Sequence, residues 1–235
     1  GYRDGLLWVD RNSNQGIYLQ LSHNTIIANN TISLNKFEGV FLENSTSNVI
    51  SHNNITQNAN VGIDLVYSSQ NQISNNTISF HLNATLHNQG IWMESSNNNT
   101  VRINIISSNA YGIDMFLSDN NTIVRNIISG SQYGISLDES KNNTAHHNNF
   151  LYNKRQVDSF QSSDTWDNGT QGNYWTDYTG TDANTDGIGD TPYLIQGDNP
   201  DRFPLMKPWG IIIDNTPPTT TNDYDGSWHT ADFAI

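Results

Sequence analysis

The chain of 235 residues contains 36 asparagines and no cysteine, and its net charge is −13. Only 34% of the residues are hydrophobic and 14% are charged. The absence of cysteine excludes disulfide bonds and thiolate metal sites. Asparagine is unfavourable inside helices and strands but frequent in turns. The composition therefore excludes a helical bundle and favours a fold with many ordered corners.

The negative charge is concentrated toward the C-terminal end. Residues 1–155 carry ten acids and eight bases, whereas residues 156–235 carry thirteen acids and two bases. Because binding to a phosphate backbone requires a basic face, we expect no nucleic-acid partner. No apolar run approaches the roughly 18 residues of a membrane span. The first residues do not form a signal peptide, so we expect a cytoplasmic protein or an interior fragment of a longer chain.

A glycine followed by Ile or Val recurs every 22 to 28 residues, and these glycines are Gly16, Gly39, Gly62, Gly90, Gly112 and Gly134. Apolar residues recur one, three, eleven and sixteen residues after each glycine, usually as Ile, Leu or Val. Short apolar stretches with alternating spacing predict strands separated by corners. We therefore predict a parallel β-helix with one coil per repeat and about 4.8 Å between coils.

Asparagine also recurs fourteen residues after each glycine, at Asn30, Asn53, Asn76, Asn104, Asn126 and Asn148. We expect these residues to lie at corners, where asparagine tolerates left-handed backbone. Their amides are expected to bond to the same amide in the next coil. The longer repeat before Gly90 predicts a loop over residues 79–89, with His81 and His87 in it.

Two copies of the pattern Asn-x-Ile-x-x-Asn-x-Ile occur at residues 71–78 and 121–128. This pattern resembles the repeat of the NosD-like family, which includes many secreted or surface-anchored archaeal proteins. Residues 172–178 resemble the tail that follows such repeats. The resemblance implies an all-β, right-handed parallel β-helix, here of about seven coils, in an extracellular or cell-surface setting. It does not imply an activity.

The pattern divides the chain into three regions. Residues 1–157 are expected to form the β-helix, and residues 158–210 an aromatic, Asp-rich tail that caps its open end. Residues 211–235 are expected to be a linker and the truncated start of a further β module.

The tail contains a calcium-type loop. Oxygen side chains occupy places 1, 3, 5 and 9 of a nine-residue stretch with glycine at place 6. The predicted ligands are Asp182, Asn184, Asp186, Ile188 through its carbonyl, and Asp190. Place 12 is Tyr193 rather than Glu, so the stretch resembles the shorter loops of extracellular calcium repeats. We predict a structural calcium ion, with a further oxygen from Asp198 or Asp201, and the alternative is a loop closed by Asx turns alone.

The second and fourth residues after each glycine are predicted to point outward, and they mix aromatic with acidic side chains. Aromatic rings stack on sugars and carboxylates accept hydroxyl hydrogen bonds. The predicted sugar contacts are Tyr18, Phe41, Trp92, Phe116 and Asp138. We therefore predict a monomeric module that binds a polysaccharide or glycoconjugate along this face.

A carbohydrate-active enzyme is the alternative, as a glycoside hydrolase, lyase or epimerase with Asp64, Glu94 and Asp114 as catalytic residues. Their expected separations of one or two coils overlap the range for paired glycosidase carboxylates, about 5–9.5 Å. However, the sequence contains neither the paired-Asp motif of polygalacturonases nor the Asp-Pro-His motif of β-helix uronate epimerases. A purely structural envelope or adhesion repeat is the third reading.

The resemblance also connects the chain with copper delivery. His23, His52, His146 and His147 are the histidines considered for this role. His52 and His147 share a repeat position four coils apart, and extended backbone would point His146 and His147 to opposite sides. The methionines are few and there is no cysteine, so we expect poor ligation of copper.

Overall fold

The computed structural model describes residues 8–81 and 88–210. Within these ranges the chain forms 22 short strands and no helix, and hence none that is long and apolar enough to cross a membrane. His87 and most of the predicted loop before Gly90 lie outside the described residues, as do the linker and β module expected over residues 211–235.

The strands, numbered in chain order, form three parallel sheets. Sheet 1 consists of β1 (Trp8–Asp10), β4 (Thr31–Ser33), β7 (Asn54–Thr56), β10 (Thr77–Ser79), β13 (Ile105–Ser107), β16 (Ile127–Ser129), β19 (Asn149–Leu151) and β22 (Tyr174–Trp175). Sheet 2 consists of β2 (Ile17–Gln20), β5 (Val40–Glu43), β8 (Ile63–Val66), β11 (Gln89–Glu94), β14 (Tyr111–Phe116), β17 (Tyr133–Asp138) and β20 (Arg155–Phe160). Sheet 3 consists of β3 (Ile26–Ala28), β6 (Val49–Ser51), β9 (Gln72–Ser74), β12 (Thr100–Arg102), β15 (Thr122–Val124), β18 (Lys141–His146) and β21 (Ser163–Thr165).

Each coil contributes one strand to each sheet, and every strand pairs in parallel with the equivalent strand of the next coil. The predicted inward positions are buried along the axis, and Ile32, Ile55, Ile78, Ile106, Ile128 and Phe150 have no exposed surface. This arrangement confirms the predicted parallel β-helix of about seven coils.

The repeated glycines lie where two coils approach most closely. A Cβ atom on any of the six would lie 2.5–2.7 Å from a backbone carbonyl oxygen of the next coil. Glycine therefore recurs because a side chain does not fit between the coils.

Four corner residues in each coil have left-handed backbone. They follow the glycine by 5, 8, 13 and 18 residues, and their φ angles lie between 48° and 61° in all six repeats. The expectation that Asn30 and its equivalents adopt this conformation is wrong. The residue before each of them does, and these are Asn29, His52, Asn75, Ile103, Arg125 and His147.

The repeated asparagines instead form a buried amide ladder, as predicted. In Asn126, Oδ1 accepts from the backbone N–H and the Nδ2 of Asn104 at 2.9 and 3.0 Å. Its Nδ2 donates to the Val101 carbonyl and to Asn148 Oδ1 at 2.9 and 3.0 Å. Each amide thus bonds to backbone groups at a corner of the previous coil, which strand pairing leaves without a partner.

Further ladders follow the other corners, and one of them contains His81. The serine ladder includes Ser45, Ser68, Ser96, Ser118 and Ser140, and a second asparagine ladder includes Asn48, Asn71, Asn99, Asn121 and Asn143. His81 lies between Asn58 and Asn109 in another ladder, fully buried, and burial lowers its pKa to about 4. His81 is therefore a neutral part of the scaffold rather than part of a protruding loop.

The tail covers the last coil with aromatic rings. Trp175 stacks on Phe150 with ring centroids 4.2 Å apart, and Tyr193 stacks on Trp175 at 4.3 Å. The fully buried Asp201 accepts hydrogen bonds from the backbone N–H of Asn173 at 2.7 Å and from Trp175 Nε1 at 2.9 Å. These contacts hold the tail against the open end.

We predict that Asn126→Ala lowers the free energy of unfolding by at least about 2 kcal/mol, because the Asn104 N–H and the Val101 carbonyl lose their partner inside the core. Urea denaturation measures the change. Asn54→Thr is the control, since Asn54 is exposed and pairs with Thr31 and Thr77 in sheet 1. Equal stability of both variants would contradict a structural role for the ladder.

Candidate functional site

The outer face of sheet 2 carries two rows of side chains along the helix axis. The first row is Tyr18, Phe41, Asp64, Trp92, Asp114, Ser136 and Asp158. The second row is Gln20, Glu43, Val66, Glu94, Phe116, Asp138 and Phe160. Regular pairing of the strands places all the predicted sugar-binding and catalytic residues on this one face.

Trp92 lies at the middle of the first row. It pairs with Asp64 in the preceding strand and with Asp114 in the following strand, each about 4.8 Å away along the axis. Glu94 lies two residues further along β11 and pairs with Val66 and Phe116. The sheet therefore brings an indole ring and the three predicted catalytic carboxyl groups onto neighbouring strands.

A depression of about 200 Å³ opens beside Trp92, and we call it the Trp92 pocket. Its walls are formed by Asn60, Val61, Asp64, Gln89, Trp92 and Glu94. Asn60, Val61 and Gln89 were not predicted. These three residues precede a repeated glycine by one or two places. The alternation that predicts outward side chains begins after the glycine and therefore does not include them.

Each of the two amide nitrogens beside the pocket donates one hydrogen bond. Asn60 Nδ2 donates to Glu38 Oε1 at 2.6 Å, and Gln89 Nε2 donates to Asp114 Oδ2 at 3.0 Å. The opposite oxygens of these two amides, and Oδ1 of Asp64, are buried without a hydrogen-bond partner among the described residues. The pocket wall therefore has an excess of acceptors.

Asp64 and Asp114 are more buried than the outward alternation predicts, since each has only 9% of its surface exposed. Burial raises the pKa of Asp64 to about 8, and the negative charges of Glu38 and Glu94 add to the shift. Asp64 is therefore mostly protonated at neutral pH. A carboxyl group in this state can donate a proton, whereas an ordinary exposed aspartate cannot.

The other predicted sugar contacts lie around this centre. Tyr18 is exposed and stacks on Phe41 with ring centroids 5.1 Å apart, and its hydroxyl donates to the Glu43 carboxylate. Phe116 and Asp138 are half-buried in the second row. On the same two strands, β14 and β17, Tyr111 and Tyr133 form a second stacked pair at 4.9 Å, which the outward alternation does not predict.

The predicted calcium loop forms a tight turn. Asp182 accepts from the backbone N–H groups of Asp186 and Gly187 at 3.1 and 2.9 Å. Asn184 Nδ2 donates to Asp186 Oδ2 at 2.9 Å, so the side chains at places 1, 3 and 5 converge. Asp190 accepts from the N–H of Ala183 at 2.9 Å and closes the base of the loop.

Neither proposed extra ligand faces this loop. Asp198 accepts from the Asp164 N–H at 2.8 Å and from Trp166 Nε1 at 3.2 Å, and Asp201 is committed to the cap. Among residues 8–81 and 88–210, no group of three or more His, Asp or Glu side chains is arranged to hold a metal ion.

His146 and His147 do not point to opposite sides, which corrects the expectation from extended backbone. His147 has a φ of 58°, and its Nδ1 lies 2.9 Å from Nδ1 of His146. Its Nε2 lies 2.9 Å from Gln171 Oε1, and its ring stacks on Trp209. Burial lowers the pKa of His146, and the charges of His147 and Arg125 lower it further.

The sequence profile of the family described as periplasmic copper-binding protein (NosD) matches residues 8–89 and 80–180, which is most of the chain. The chain belongs to the NosD family. Probable ABC transporter binding protein NosD of Stutzerimonas stutzeri is 39% identical over 71 residues, which are 30% of this chain and 16% of that protein. The protein of the same description from Pseudomonas aeruginosa is 38% identical over 71 residues. This NosD chain thus matches only about a sixth of the length of these relatives.

Solved structures show the same fold at low sequence identity. A double mutant of the periplasmic alginate epimerase AlgG aligns with a TM-score of 0.52 and 19% identity, covering 76% of this chain and 41% of the epimerase. XylC in complex with xylose aligns with a TM-score of 0.53 and 14% identity, covering 66% of this chain and 30% of XylC. Both alignments support the β-helix assignment.

The described residues do not fit the copper in the family description. The two Nδ1 atoms of the histidine pair bond to each other, and no third His, Asp or Glu completes a metal group there. Met93 and Met115 are buried in the core. We therefore assign no copper chemistry to these residues.

We predict that Asp64→Asn removes part of the pH dependence of stability. The unfolded aspartate ionises near pH 3.8 and the folded one near pH 8, so wild-type stability falls as the pH rises between these values. Because a pKa unit is worth about 1.4 kcal/mol, the variant should be more stable than wild type by several kcal/mol at pH 8 and nearly equal at pH 4.

Urea denaturation at pH 4, 6 and 8 and constant ionic strength measures this difference. Both proteins keep Asp164 and Asp201, whose pKa values burial raises to about 7 and about 6, so their contributions cancel. Identical dependence of stability on pH in the two proteins would contradict the raised pKa of Asp64.

Proposed function

We propose that this NosD-family β-helix binds an extended polysaccharide or glycoconjugate along the outer face of sheet 2, outside the cytoplasm. The observation that carries the proposal is the position of Trp92 between Asp64 and Asp114, beside a pocket walled by unpaired acceptor oxygens. An indole offers a flat apolar surface for a sugar ring. The surrounding oxygens accept hydrogen bonds from its hydroxyl groups.

The arrangement of the face supports a chain-like ligand. The stacked pair Tyr18 and Phe41, the Trp92 pocket, and the stacked pair Tyr111 and Tyr133 lie on successive coils of one sheet. A polysaccharide lying along the axis meets aromatic and acidic groups over several coils. A small ligand would contact only one of these places.

The comparisons support the setting and the ligand class. The family is described as periplasmic, and AlgG is a periplasmic epimerase, which favours an extracytoplasmic location. The fold neighbours with TM-scores above 0.5 include an alginate epimerase and a protein in complex with xylose. These are properties of those proteins, and for this chain the support comes from the Trp92 pocket.

Sugar cleavage or modification is the second candidate, and the protonated state of Asp64 favours it. Asp64 would act as general acid while Asp114, held by Gln89, acts as base, with Glu94 beside them. Asp64 and Asp114 lie two strands apart, about 9.6 Å, close to the upper end of the range for inverting glycosidases, about 6.5–9.5 Å.

We predict that Trp92→Ala weakens glycan binding at least tenfold, because loss of the stacking surface removes about 1.4 kcal/mol or more. A glycan array followed by calorimetry on the ligands found measures the change. Tyr152→Ala is the control, since Tyr152 is 82% exposed but lies outside the face.

Assays for new reducing ends and for unsaturated uronates on the same ligands separate the two candidates. Turnover that Asp64→Ala and Asp114→Ala abolish would favour the enzyme, and binding without turnover favours the module. Absence of binding and turnover across the array would contradict both and leave a structural repeat.

We further propose that the loop Asp182–Asp190 binds a structural calcium ion. The convergence of Asp182, Asn184 and Asp186, together with the tight turn at Gly187, supports this. A bound cation would neutralise part of the charge of −11 in residues 156–235 and stabilise the tail against the last coil.

Removal of calcium with EDTA should lower the melting temperature. Calcium at one hundred times its dissociation constant stabilises the folded protein by about 2.7 kcal/mol. Each kcal/mol raises the melting temperature of a chain of this size by about 2–4 °C. Scanning calorimetry measures the shift. The variant Asp186→Asn should no longer show it. The variant Asp158→Asn, which makes the same change outside the loop, should still show it. A melting temperature that EDTA leaves unchanged would contradict calcium binding.

A further inference from the structure

The outer face of sheet 2 is strongly acidic around the Trp92 pocket. Its described acidic residues are Glu38, Glu43, Asp64, Glu94, Asp114, Asp138 and Asp158. We count the described residues of the two rows and of the position before each repeated glycine or its equivalent, Gln156. Arg155 is the one cation among them, and its guanidinium pairs with Asp158 at 2.8 Å. A polyuronate brought to this face would meet carboxyl groups on the second to seventh coils and negative charge on most of them.

The unpaired buried atoms of the pocket are all oxygens. Asp64 is 9% exposed and Gln89 is 1% exposed, and each has an oxygen without a partner among the described residues. Asn60 contributes a third such oxygen. Buried acceptors without donors are costly, so the pocket is matched to a ligand group that brings several donors.

Each amide nitrogen of the pocket already makes one hydrogen bond, so it keeps at most one N–H for the ligand. Asn60 Nδ2 is bonded to Glu38, and Gln89 Nε2 is bonded to Asp114. A ligand hydroxyl brings acceptor lone pairs as well as a donor, and a carboxylate brings acceptors alone. A primary ammonium group brings three donors and no acceptor.

We propose that the Trp92 pocket selects a glycan residue with a free protonated amine, that is, a hexosamine without its N-acetyl group. This inference rests on the proposed glycan-binding function and names its ligand class. The ammonium bonds to the oxygens of Asp64, Gln89 and Glu94, and the sugar ring stacks on Trp92. The indole face also attracts a cation directly, by about 0.5–2 kcal/mol.

Ligand charge is linked to the protonation of Asp64. Glu38 and Glu94 are the charged groups that act on it, and both hold its pKa above the ordinary value. An ammonium in the pocket favours the ionised carboxylate, so binding at pH 6, where the ligand amine is already protonated, releases protons from Asp64 to the buffer. A neutral sugar that buries Asp64 further does not release them.

Calorimetry with three hexasaccharides tests the proposal: fully deacetylated chitosan, its fully N-acetylated counterpart, and alginate. We expect the deacetylated hexamer to bind at least tenfold tighter than the N-acetylated hexamer, and alginate not to bind. The heat of binding at pH 6 should change between buffers of different ionisation enthalpy, in the direction of proton release.

Two variants separate the pocket from general attraction between a polycation and an acidic protein. Asp64→Asn keeps the shape of the side chain and should weaken binding at least tenfold and remove the proton release. Glu139→Gln is the control, because the exposed Glu139 lies at a corner outside the pocket and the variant makes the same replacement of a carboxyl group by an amide. Equal effects of the two variants would overturn the proposal.

The remaining outcomes distinguish this inference from the proposed function. Preferential binding of the N-acetylated or alginate hexamer, lost in Trp92→Ala, would overturn the amine selectivity and retain glycan binding on this face. Absence of binding to all three hexamers overturns the amine proposal, and absence of binding across the glycan array also overturns the proposed function.

Discussion

The fold depends on how backbone groups are satisfied at the corners of each coil. Strand pairing satisfies the sheets, but at a corner the chain turns away and leaves N–H and C=O groups inside the protein. A buried Asn or Ser from each coil bonds to these groups in the coil before it. This pairing requires a sharp turn, and left-handed backbone supplies it at a cost of about 1–2 kcal/mol for a residue other than glycine. The ladders offset this cost, coil after coil.

Because the ladders and the inward apolar positions fix the scaffold, the outward positions of sheet 2 are free to vary. The first row changes from Tyr18 through Asp64 and Trp92 to Ser136 without altering the register. The chemistry of the protein is therefore concentrated in a few side chains whose spacing is set by the coils. The Trp92 pocket also depends on the residue before each glycine, since Gln89 holds Asp114 and Asn60 holds Glu38.

The sequence predicts the period, the parallel strands of successive coils and the amide ladder because each depends on contacts between identical positions in successive coils. It does not identify the left-handed residues, since Ile103, Arg125 and Tyr152 adopt this conformation without any compositional signal. The burial of Asp64 and Asp114 also escapes prediction, because it depends on the neighbouring strands and on Gln89 rather than on alternation within one strand. The contact between His146 and His147 follows from one such corner.

The asparagine ladders have a direction. From Asn30 to Asn148 each Nδ2 donates to the Oδ1 of the next coil, so the amide dipoles align toward the C-terminal end. This ladder continues through Asn173 to the carboxylate of Asp201, and the second asparagine ladder ends on the carboxylate of Asp164. Both lines of donors thus terminate on acids that belong to the tail. The tail therefore supplies acceptor oxygens for the last donors of the ladders as well as a cover for their core, and a cap of the same shape without these oxygens would leave the last amides unpaired.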